Sequence, residues 1–155
     1  MDGTIERHDP GAPDVRALLA AHLAFTHGET PLEHAFALDA EGLRDPAIEL
    51  FGYRRDGELL AIGALKRLDG EHAELKSMHT AAAARRTGIG RAMVDHLLAT
   101  ARTRSFRRVS LETGTTEAFA PARSLYRKAG FEPCGPFGGY AATPDNYFMT
   151  IRLEP

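Results

Sequence analysis

Apolar residues recur along this chain with two periods. Ile89, Met93, Val94, Leu97, Leu98 and Ala101 form one face of a helix, with Arg91, Asp95, Thr100 and Arg102 mostly outside it. Upstream the period is two. Leu50–Arg55 and Leu59–Arg67 flank Asp56-Gly57, two residues that tolerate positive φ, so the pattern predicts a hairpin. Asp69-Gly70 leads into a further strand at about Ala73–His79 and completes a three-strand antiparallel meander. Thr4–His8 alternates like a first strand, and Pro13-Asp14 opens a helix with Val15, Leu18, Leu19, His22 and Leu23 on one side. Residues 28–47, with Pro31, Gly42 and Pro46, read as a loop that carries at most a short helix. After the long helix, a strand is predicted at about Arg108–Thr113 and a helix at about Pro121–Ala129, closed by Gly130 as a C-cap. Phe131–Phe137 and Tyr147–Leu153 read as the last strands, separated by a loop from Gly138 to Asn146. The strand–helix–strand step between 73 and 113 needs a crossover, which favours parallel pairing or close neighbours there.

Length and composition narrow the class. A chain of 155 residues fits one domain, spanning 1–155, and buries roughly 70% of its unfolded surface, enough to fold without disulfides or a structural metal. Cys134 is the only cysteine, so no internal disulfide forms. The first residues lack the basic and apolar regions of a secretory leader. The longest apolar run, Leu59–Leu65, is too short to cross a bilayer, so the expectation is a cytoplasmic protein with no membrane partner. Net charge is −2, yet residues 1–84 hold 8 Lys/Arg against 15 Asp/Glu and residues 85–128 hold 10 against 3. A basic segment inside an acidic chain suggests a local polyanion site. The overall charge and the lack of a base-stacking motif argue against a nucleic-acid partner.

That basic segment opens the long helix. In Arg85-Arg86-Thr87-Gly88-Ile89-Gly90-Arg91 the glycines let backbone approach a ligand, the first helical N–H groups point outward, and the arginines add charge. The spacing is not that of a Walker loop, and a dinucleotide fingerprint would need glycine where Met93 stands. Arg85-x-x-Gly88-x-Gly90, after a strand and before an amphipathic helix, resembles the signature of the GNAT superfamily of acetyl-CoA-dependent N-acetyltransferases. Ala122-Arg123-Ser124-Leu125-Tyr126-Arg127-Lys128-Ala129-Gly130-Phe131 resembles that family's A-x-x-L-Y-x-x-x-G-F helix, at a matching separation. The resemblance implies an α+β fold, a mixed and mostly antiparallel splayed sheet flanked by helices, with strands 73–79 and 108–113 parting to admit pantetheine. It implies acetyl-CoA as co-substrate, no metal, backbone contacts from Met78, His79 and Thr80, and a pyrophosphate site around Arg85, Arg86, Thr87, Gly88, Ile89, Gly90 and Arg91. One position departs from the pattern: Phe119 stands where the family often has an asparagine that contacts the cofactor.

Acetyl transfer to an amine needs a base, because an alkylammonium titrates near 10, and an acid for the departing thiolate. Tyr126, in the matching helix, is the candidate acid; packing is its alternative role. Glu74 is the candidate base, since it matches the strand glutamate some family members use; a structural pair with Lys76 is its alternative. Strict alternation puts Glu74, Lys76 and Met78 on one face and Leu75, Ser77 and His79 on the other, so His79 is a base only if a bulge redirects it. Glu112, on the neighbouring strand, is a further base or a binder of the substrate ammonium. Cys134 lacks a basic partner and is not read as an acyl carrier, and His22, His27 and His34 lack a closed metal-ligand set. His34, Tyr140 and Asn146, with Phe25, His27 and Glu29, are expected to line the pocket for a small-molecule or peptide amine. A non-catalytic acetyl-CoA sensor is the alternative function, and an open sheet edge also allows a homodimer.

Overall fold

A computed structural model describes residues 3–29 and 38–154. In chain order the elements are β1 (Thr4–Arg7), α1 (Pro13–Glu29), β2 (Ile48–Arg55), β3 (Glu58–Arg67), β4 (His72–Thr80), α2 (Ile89–Thr103), β5 (Arg108–Gly114), α3 (Ala120–Lys128), β6 (Glu132–Pro133) and β7 (Asn146–Arg152). The strands form one sheet in the order β1-β2-β3-β4-β5-β7-β6. Every neighbouring pair is antiparallel except β4–β5, which is parallel and joined by α2, as the crossover requires. This is the mixed, mostly antiparallel α+β sheet expected.

Local chemistry explains the main turns. Asp56 and Gly57 both take positive φ, 53° and 79°, and close the β2–β3 hairpin as its two-residue turn. All six apolar residues of the α2 face are buried, and each such side chain contributes about 1.5–3 kcal/mol when fully buried. They meet Leu65, Leu75, Val109, Leu111 and Met149 in the core beneath one face of the sheet. On the other face, Val15 and Leu19 of α1 pack with Leu43, Ile48, Leu50, Ile62 and Ala64.

Two sequence expectations change. Strand pairing within 131–137 is limited to Glu132–Pro133, with one further bond from Cys134 N–H to the Phe148 carbonyl at 2.9 Å, and Pro136 has no N–H to carry the ladder on. Alternation in β4 also breaks. Ala64 pairs with Lys76 but Ile62 pairs with His79, so two residues, Ser77 and Met78, stand opposite Gly63, and Ser77 takes a φ of 55°. Cross-strand partners share a face. Glu74, Lys76 and His79 therefore lie on the face of Lys66, Ala64 and Ile62, while Met78 turns to the α2 side. A Cβ on Gly63 would sit 2.6 Å from Met78 Sδ, so glycine is what admits this bulge.

Candidate active site

The sheet opens between β4 and β5. Their pairing ends at Leu75–Leu111, whereas β4 stays paired with β3 to Thr80 and β5 with β7 to Gly114. Beyond Leu75 the β4 backbone therefore faces a cleft of about 700 Å³. Met78, His79, Thr80, Arg85, Arg86, Gly88, Gly90, Arg91, Glu74, Glu112 and Tyr126 all border it.

One end of the cleft has the makings of an anion site. Gly88 caps α2 with a φ of 87°, and the first helical bond runs from Ala92 N–H to Gly88 carbonyl, which leaves the amides of residues 89–91 without intrahelical partners. Arg85 is steered across β4 by its bond from Nε to the Thr80 carbonyl at 3.2 Å, and Arg91 by an ion pair with Asp95 at 3.0 Å. Two residues predicted here do not border the cleft: the Thr87 hydroxyl donates to the Ala84 carbonyl and the Ile89 side chain is fully buried. Farther along, the buried Ser77 hydroxyl has no hydrogen-bond partner among the described residues. A pantetheine amide passing the β4 edge would satisfy it. An open strand edge, an orphaned hydroxyl and a helix start with arginines fit an extended thioester with a phosphorylated tail.

The middle of the cleft holds Tyr126. At the end of α3, Gly130 N–H bonds the Arg127 carbonyl and Phe131 N–H bonds the Tyr126 carbonyl, 3.1 and 3.0 Å, a Schellman closure. The Phe131 ring packs on Tyr126 at 5.8 Å between centroids, so Gly130 and Phe131 of the motif both serve to hold the phenol. Burial, helped by the nearby Glu112 charge, raises the phenol above its ordinary value and keeps it protonated.

Three ionisable clusters lie on the opposite face. Lys76 Nζ donates to Glu74 Oε2 at 3.1 Å and to Tyr140 Oη at 2.8 Å, and Tyr140 in turn donates to the same Glu74 oxygen. Glu74 is 3% exposed. The Lys76 pair weighed as its alternative is thus present, and Tyr140 braces it from behind the cleft wall. Glu112 Oε2 accepts from Asn146 Nδ2 at 2.8 Å, and burial pushes its carboxyl up to about 7, partly offset by the Asn146 bond and Lys76. The bulge brings His79 onto this face, where its Nδ1 lies 3.2 Å from Nδ1 of His22 on α1. Burial lowers both imidazoles to about 4, so the pair is uncharged at neutral pH. The expectation that His79 faces away from Glu74 is corrected by that extra residue in β4. His22 was legible as a polar residue on the apolar side of α1, but its partner was not. His34 lies outside the described residues. Cys134 is partly exposed, and burial raises its thiol, which disfavours thiolate chemistry. Among the described residues no group of three or more His, Cys, Asp or Glu could hold a metal ion, and no helix is long and apolar enough to cross a membrane.

A sheet parted beside a helix amide site, with a held phenol and a carboxylate bordering the same cleft, is an arrangement that suits acyl transfer from a coenzyme A thioester. Comparison with known proteins makes the class specific: residues 14–131 match the model of the acetyltransferase (GNAT) family, and the chain belongs to that family. It is 39% identical over 150 residues to the N-acetyltransferase YedL of Escherichia coli, covering 97% of this chain and 94% of that protein. It is 40% identical over 139 residues to the N-acetyltransferase YsnE of Bacillus subtilis, covering 90% and 92%. A Klebsiella pneumoniae structure described as an acyl-CoA N-acyltransferase superposes with a TM-score of 0.81 at 25% identity, covering 98% of each chain. The protein is an N-acetyltransferase by family, and the family uses acetyl-CoA.

Proposed function

We propose that this enzyme transfers the acetyl group of acetyl-CoA to a primary amine by direct attack, with Tyr126 as acid and Glu112 as base. The observation that carries this reading is the placement of Tyr126 and Glu112 in the same cleft as the α2 amide site. The amine nitrogen attacks the thioester carbonyl carbon, a C–N bond forms and the C–S bond breaks. Backbone N–H groups of the open β4 edge are suited to the oxygen that gains charge. Of the two protons the ammonium sheds, one reaches sulfur by way of Tyr126 and the other leaves by way of Glu112. A base near 7 matches neutral-pH work, whereas His79 near 4 is weaker by about three units. Glu74, the first candidate from sequence, has one carboxylate oxygen committed to Lys76 and Tyr140, which favours a positioning role.

The test is release of free coenzyme A, read with a thiol reagent, from acetyl-CoA and a panel of small amines and peptides. Tyr126→Phe is expected to hold acetyl-CoA affinity within a few-fold while lowering turnover about 10²-fold. Acetyl-CoA binding with no release across the panel would favour the sensor role, and undiminished turnover in Tyr126→Phe would make the tyrosine a packing residue.

A further inference from the structure

Away from the α2 amides the chemistry of the cleft is lopsided. One wall is apolar. Phe25 of α1 meets Phe119 edge-on at 5.0 Å, and Phe119, 8% exposed, lies over the end of β5. A Cβ on Gly114 would sit 2.2 Å from that ring, so glycine there lets the phenyl group lie on the backbone. Phe119 and Phe25 thus present an aromatic surface bordering the cleft.

The charges follow a simple balance. His22 and His79 are neutral, and the Lys76 ammonium is met by Glu74. Arg85, Arg86 and Arg91 stand at the α2 end with Lys128, whose carbonyl accepts from Arg91 at 3.4 Å. Arg123 donates to the carbonyls of Gly114 and Thr116 at 2.7 and 2.9 Å and does not border the cleft. Among the described residues that border the cleft, Glu112 is the carboxylate that no cation bonds. A substrate carboxylate beside the reacting nitrogen would meet that charge with no cation to receive it.

We propose that the acceptor is a primary amine on an aromatic or similarly bulky apolar frame, with no carboxylate next to the nitrogen. This deepens the proposed function and rests on its placement of the amine at Glu112. An ammonium satisfies Glu112, and a ring covers Phe25 and Phe119. A free α-amino acid places like charges together, a discrimination on the order of 10²-fold.

Calorimetry on the protein saturated with coenzyme A, at pH 8, reads the selectivity without turnover. The probes are phenethylamine, phenylalanine, phenylacetate and ethylamine, which separate ammonium, carboxylate and ring. Phenethylamine is expected to bind about 10²-fold more tightly than phenylalanine and at least about tenfold more tightly than ethylamine, with no phenylacetate binding. Phenylalanine binding as well as phenethylamine, ethylamine binding as well as phenethylamine, or no phenethylamine binding would each overturn the inference. Acetyl transfer is then read separately. Selective binding of phenethylamine without transfer would sustain the inference and sink the catalytic reading, whereas transfer to phenethylamine and phenylalanine alike would do the reverse.

Discussion

Glu112→Gln separates chemistry from stability, because the same burial that makes Glu112 a useful base makes its charge costly. Its carboxyl rises from an ordinary 4.5 to about 7, chiefly through burial. A difference of that size corresponds to about 3 kcal/mol favouring the protonated form in the fold, reduced to about 2 kcal/mol where solvent reaches the group. With the folded value above the unfolded one, this stabilisation is fully present below pH 4.5 and is lost as pH rises through about 7. Glutamine carries no such charge, and its carbonyl can still accept from Asn146. At pH 8 the variant is therefore expected to melt about 4–8 °C above wild type, with the gap closing near pH 4.5. Turnover should fall by about 10²–10³-fold, and the acidic limb near 7 should vanish from the pH–rate profile. Raising pH should partly rescue the variant as more amine becomes neutral. The assays are coenzyme A release and thermal melts of both proteins from pH 4.5 to 9. Taking the difference between them cancels every group they share. Wild-type turnover with an intact acidic limb would refute the base assignment, and equal melting at pH 8 would refute the buried-charge argument.

Gly88→Val should abolish acetyl-CoA binding by calorimetry while the protein still folds, because a β-branched residue is strained at a φ of 87° and its side chain fills the approach to the α2 amides; unchanged affinity would remove the phosphate-site assignment. Glu74→Gln should cost about 3 kcal/mol of stability, seen by denaturant unfolding, because it leaves the nearly buried Lys76 unpaired. Its acidic limb should match that of wild type; loss of that limb, with stability kept, would return the base role to Glu74.

What could be read from sequence follows from the range of the interactions. The α2 face was legible because a helix repeats its burial every 3.6 residues, and all six positions are buried. The hairpin at Asp56-Gly57 and the glycine after α3 were legible because turn chemistry is local. Alternation failed in β4 because one positive-φ serine shifts the count, and the residue that admits it, Gly63, is on another strand. Phe131–Phe137 looked like a strand by hydrophobicity, but Pro136 has no N–H to carry the ladder on. The Tyr140–Glu74 and His22–His79 contacts join residues 66 and 57 positions apart, and no local pattern encodes them. Tyr126 was found by motif, yet the reason for the motif, a Schellman closure with Phe131 packed on the phenol, is visible only in three dimensions.

The two carboxylates make the division of labour intelligible. The Glu74 charge opposes ionisation of Glu112, while Lys76, bonded to Glu74, favours it. Burial chiefly raises the Glu112 carboxyl, and the Glu74 charge adds to it against the pull of Asn146 and Lys76. That is the group whose proton is therefore in play near neutral pH. Its ionised form also raises the Tyr126 phenol, so the state in which the base is ready to accept a proton is the state in which the acid holds one most firmly. Environments that push two titrating groups apart in this way assign their roles. The bulge turns Met78 into the α2 core and His79 toward His22, where burial keeps both imidazoles uncharged at neutral pH. A straight β4 would instead put Met78 on the face of Glu74 and Lys76 and His79 on the α2 side.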